Sequence, residues 1–128
     1  MKAGRELDAL VAEKVMGWSD VGEITIGMTV YVAGHRPEGE QTVVPSYSTD
    51  IAAAWTVVER MRELGWRMLL ENWVSSDDAY AAFFHPQDRY RYGNHIGVTD
   101  DTAPVAICRA ALRAVGVEVW EDPTTTQP

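Results

Sequence analysis

Apolar and polar positions recur at two different periods along the chain, and the switches between those periods mark out the elements. Across residues 2–16, Ala3, Leu7, Leu10 and Val11 fall on one face and Glu6, Glu13 and Lys14 fall elsewhere, which is the spacing of an amphipathic helix. Gly17 stands where such a helix would end, and Trp18 is expected to fold back on the last turn. Residues 23–33 alternate apolar with small or polar side chains and are rich in β-branched types, so they predict a strand or part of an extended excursion. Residues 34–40, with two glycines and a proline, predict an exposed turn.

A second helix is signalled by Ser48 as N-cap, by Asp50 in the first turn, and by Ile51, Ala54, Trp55, Val58 and Met61 at helical spacing. Gly65 closes it, and Tyr47, just before the cap, is placed to act as a hydrophobic staple. Strands are expected over 66–74, over 79–85 and within 90–98, the first two forming an antiparallel hairpin about the turn at 75–78. A last helix starts near Thr102 with Pro104 in its first turn and ends at Gly116. That helix is apolar on nearly every side, interrupted only by Arg109 and Arg113 on one stripe, so it is expected in the interior. Trp55 and Trp73 are expected to fill the core, with Trp18 and Trp66 covering element ends. Consecutive hairpin strands without a repeating βαβ rhythm predict an α+β fold, with about three helices packed in layers against a small three- to four-stranded antiparallel sheet.

Composition narrows the function classes. A length of 128 residues predicts one domain, over residues 1–120 with a loose tail at 121–128, and 46% apolar content is enough for a real core. No apolar run approaches the roughly 18 to 20 residues that a membrane span needs, and the charged N-terminus lacks the apolar centre of a signal peptide, so a cytoplasmic protein is expected. The lone Cys108 excludes an internal disulfide, and its apolar helix predicts an inert thiol. A net charge of −8 argues against general nucleic-acid binding but leaves room for a small phosphorylated ligand near the locally basic Arg89 and Arg91.

Three segments in order carry a family resemblance. Residues 1–18 (MKAGRELDALVAEKVMGW), residues 47–55 (YSTDIAAAW) and residues 102–112 (TAPVAICRAAL) together resemble the phage ABA sandwich domain, over most of residues 1–115. The resemblance implies a small bacteriophage or prophage protein with helices and an antiparallel sheet packed in layers, and it implies no settled reaction. Residues 23–44 look longer and more hairpin-like than the family's usual linker between its first two helices.

Each candidate site has a functional reading and a plain structural one. Tyr47, Ser48, Thr49 and Thr102 lie at two helix starts, where free backbone N–H groups hold phosphate or carboxylate; capping alone also explains them, and Asp50 and Asp101 would repel an anion. Arg89, Tyr90, Arg91 and Tyr92, followed by His95, combine guanidinium forks with flat rings, a mixture suited to nucleotides; a surface strand with solvated arginines is the alternative. Arg109 either extends that cationic surface or bonds to a carboxylate or carbonyl at the core edge. The three histidines lie on separate segments without metal-type spacing, and no nucleophile elbow, HExxH motif or glycine-rich phosphate loop is present.

The expected function is therefore a non-enzymatic, phage-encoded small-molecule binding protein with no cofactor and no metal. In that reading it sequesters a nucleotide-like host defence signal through Tyr47, Ser48, Thr49, Arg89, Tyr90, Arg91, Tyr92, His95, Thr102 and Arg109. The alternative is an interaction module that binds a host or phage protein through residues 23–44 and an acidic surface, with homo-oligomerisation open in either case.

Overall fold

A computed structural model describes residues 3–72, 78–84 and 96–117. Its elements in chain order are α1 (Arg5–Lys14), β1 (Ser19–Ile26), β2 (Thr29–His35), β3 (Gln41–Val43), α2 (Ile51–Glu63), β4 (Arg67–Asn72), β5 (Ala79–Phe84), β6 (Ile96–Asp100) and α3 (Ala103–Ala114). The α+β class holds, but the strands form two three-stranded antiparallel sheets, β1-β2-β3 and β4-β5-β6, rather than one sheet of three or four. The extended segment at 23–33 is a hairpin, because Gly27 adopts φ +64° and turns the chain back between Ile26 and its partner Thr29. The strand expected at 66–74 is described over Arg67–Asn72, and the less definite one within 90–98 is described as Ile96–Asp100.

The all-round apolar pattern of the last helix is realised literally. Every residue from Val105 to Leu112 is buried, Arg109 included, and α3 packs on β5 and β6 and also on α2 and α1. The sheet side of that contact is built from small residues: Ala79, Ala81 and Phe83 alternate on one face of β5 and join the core, and two alanine methyls let the helix approach closely. Cys108 sits fully buried in this layer, and burial pushes its thiol well above the ordinary range, with Asp8 adding to the shift and Arg109 opposing it. The expected inert thiol is what the packing produces.

Both later helices stop as their glycines predict. Gly65 (φ +98°) and Gly116 (φ +93°) take the left-handed conformation. The Gly65 and Trp66 amides then donate back to Arg62 O (3.0 Å) and Met61 O (2.9 Å), and the Gly116 and Val117 amides to Arg113 O (3.0 Å) and Leu112 O (2.8 Å). The start of α2 differs from expectation. Asp50, not Ser48, is the N-cap, its carboxylate accepting the Ala52 amide at 3.0 Å. The buried stripe of α2 is Ala54, Val57, Val58 and Met61, which leaves Ile51 and Trp55 about half exposed, so Trp55 does not fill the core. Trp18, by contrast, is buried and belongs to the core cluster, while Trp73 lies outside the described residues.

Ser48 is drawn away from its own helix to the start of α1. Its amide donates to Asp8 Oδ1 at 2.7 Å and its hydroxyl accepts the Gly4 amide at 2.8 Å, joining segments some forty residues apart. Asp8 is itself buried, and burial raises its pKa above the usual carboxylate value although hydrogen bonds from Ser48 act in the opposite sense.

Two predictions follow from these interior polar groups. The buried Arg109 guanidinium donates to Asp100 Oδ2 at the end of β6, and Asp100 Oδ1 accepts the Asp101 amide at 2.9 Å. Removing one member leaves a charge in the interior, so Arg109→Ala is expected to lose about 3–5 kcal/mol in urea denaturation. Exchanging both residues for leucine should cost clearly less. For Asp8, a raised native pKa means that its contribution to stability is fully present below the unfolded value of 3.8 and is lost as pH rises through the native value. Asp8→Asn, which keeps an acceptor for Ser48, is therefore expected to gain stability relative to wild type over the pH range, above about 4, in which native Asp8 ionises. A constant difference across that range would contradict this.

Candidate functional site

The structure describes five of the ten residues in the ligand set expected from the sequence: Tyr47, Ser48, Thr49, Thr102 and Arg109. Tyr47 is buried, Ser48 is consumed by Gly4 and Asp8, and Arg109 is buried in its pair with Asp100. Thr49 is exposed beside the cap of α2, and Thr102 is the exposed N-cap of α3, in extended conformation and without a side-chain capping bond. Arg113 reaches Gly97 O at 3.1 Å from the exposed end of α3. Arg89, Tyr90, Arg91, Tyr92 and His95 lie outside the described residues. Among the described residues, no group of three or more His, Cys, Asp or Glu side chains is arranged to hold a metal ion, and no helix is long and apolar enough to cross a membrane.

Of the predicted residues that are described, Tyr47 borders a substantial cleft. About 570 Å³ in volume, the cleft runs between α2, the turn after β2 and the chain leaving α1, with Trp18, Arg36, Tyr47 and Arg60 in its walls. Gly17 (φ +82°) brings the chain close there, since a Cβ at that position would meet Pro37 Cγ at 3.4 Å. The Arg36 guanidinium lies 5.1 Å from the Trp18 ring centre, a cation–π distance, and its Nε is 3.8 Å from Glu40 Oε1. Arg60 donates through Nε to Val15 O at 3.1 Å and through Nη1 to Glu63 Oε1 at 3.4 Å, tying α2 to the end of α1. Burial pushes the Tyr47 phenol up to about 12, with the Arg36 charge and a hydrogen bond to Trp18 working against the shift. The phenol is therefore neutral at physiological pH. Glu38, Glu59 and Glu63 also line the cleft, so its two guanidiniums are outnumbered by carboxylates. Periodicity gave no hint of this grouping, because no local pattern relates residue 18 to residues 36 and 60.

A second feature is the outer face of the β1-β2-β3 sheet. Pairing sets Ile24 opposite Tyr31, Ile26 opposite Thr29 and Ala33 opposite Val43, so these residues share one face. Glu23 pairs with Val32 and Thr25 with Val30 on the other. The second face is the one that α1 covers: Glu23 and Val32 line a small recess with Arg5, Glu6 and Ala9, Arg5 Nη1 donates to Val30 O at 3.3 Å, and Arg5 Nε lies 3.9 Å from Glu23 Oε2. Apolar side chains therefore lie on both faces: Val32 on the covered face is buried in the core, and the open face carries the exposed ones. Ile24 (39%), Ile26 (61%), Tyr31 (37%) and Val43 (46%) stand exposed on the open side, and Met28 at the hairpin tip is fully exposed. A bulge at the base fixes this register: Asp20 takes φ +52°, and Gly34 passes so close that a Cβ would lie 2.9 Å from Val21 Cγ2.

Comparison with known proteins agrees with the architecture. Residues 9–112 match the family model described as the phage ABA sandwich domain. No curated protein matches the chain. Among solved structures, it is similar to the crystal structure of a phage protein from Bacillus cereus ATCC 14579, with 28% sequence identity, a TM-score of 0.67, and coverage of 94% of this chain and 93% of that one. The family match spans most of the chain, from within α1 to within α3, and the protein therefore belongs to the phage ABA sandwich domain family.

Proposed function

We propose that this phage-family protein is a non-enzymatic interaction module that binds a protein partner through the outer face of β1-β2-β3, within residues 23–44. The observation that supports this reading is the register itself. Ile24, Ile26, Tyr31 and Val43 gather on the open side of the sheet and stay exposed, while Val32 on the other side enters the core, and a slip of one residue would exchange the two sets. Contiguous exposed apolar surface on a small protein marks a contact site, and β-branched and aromatic side chains on a flat sheet are the material of protein interfaces. Arg36, Pro37 and Glu38 of the turn after β2 line the cleft instead.

The reading is tested by capture from phage-infected host cells, with wild-type protein and an Ile24→Ser/Ile26→Ser/Val43→Ser variant as baits. The wild type is expected to retain a host or phage protein and the variant to lose it, with unchanged far-ultraviolet circular dichroism. Equal retention by both baits would remove the face from the function.

A second reading, sequestration of a nucleotide-like small molecule, is favoured by one observation: the cleft joins Tyr47 and Trp18 to the guanidiniums of Arg36 and Arg60 at a volume ordinary for small-ligand sites. Its carboxylates oppose a polyanion, which puts this reading second. If it holds, native mass spectrometry after incubation with a nucleotide panel shows an unmodified adduct, weakened about tenfold or more by Arg36→Ala. Absence of any adduct across the panel would end it.

A further inference from the structure

No further inference is drawn: the strongest candidate, the exposed apolar patch of Ile24, Ile26, Tyr31 and Val43 on the open face of the β1-β2-β3 sheet, is the contact surface already proposed, and nothing in the structure shows what covers it.

Discussion

A helix with no solvent face governs this structure. From Val105 to Leu112, α3 offers every side to the interior, so it is enclosed by β5 and β6 and by α1 and α2. One of those buried positions is an arginine, and an arginine cannot shed its charge. Asp100, the last residue of β6, supplies a carboxylate that pairs with it. That pairing fixes where β6 ends relative to the helix that follows it, and β6 in turn aligns β5 and β4 by register. The layer order of the protein thus follows from accommodating one guanidinium within a hydrophobic helix.

What the sequence disclosed was local in origin. The burial of α3, the glycine stops of α2 and α3, and the hairpin of β4 with β5 are each written within a window of a few residues, where periodicity and turn chemistry operate. What it concealed was long-range. Ser48 has the identity and position of a capping residue, and a closer competitor, Asp50, takes that task while Ser48 answers to Asp8. Trp55 obeys helical spacing, but the stripe that turns inward is offset toward Val57 and leaves the indole half exposed. The Trp18, Arg36 and Arg60 grouping depends on where the chain leaving α1, the turn after β2 and the end of α2 arrive. Residues 23–44 stood out as unusual, yet alternation alone could not say which side of the hairpin would meet α1.

The two sheets solve the burial problem differently. Small side chains on β5 bring α3 close and let one helix cover much of the β4-β5-β6 sheet. In the β1-β2-β3 sheet, α1 covers the side that carries Glu23 and the buried Val32, and it does so partly through polar contacts from Arg5. The bulge at Asp20 and the close passage of Gly34 hold that orientation, so the hairpin cannot simply roll over to hide its isoleucines. An acidic protein thereby holds Ile24, Ile26 and Val43 exposed in a fixed attitude.

The position of Cys108 has a practical consequence for studying the molecule. It is the only thiol in the chain, it is fully buried in α3, and its environment suppresses the reactive thiolate. A thiol reagent can reach it only when the helix leaves its seat between the sheet and its neighbouring helices. The modification rate of this single sulfur atom is therefore a built-in clock for opening of the whole core, readable in the native sequence without any introduced label.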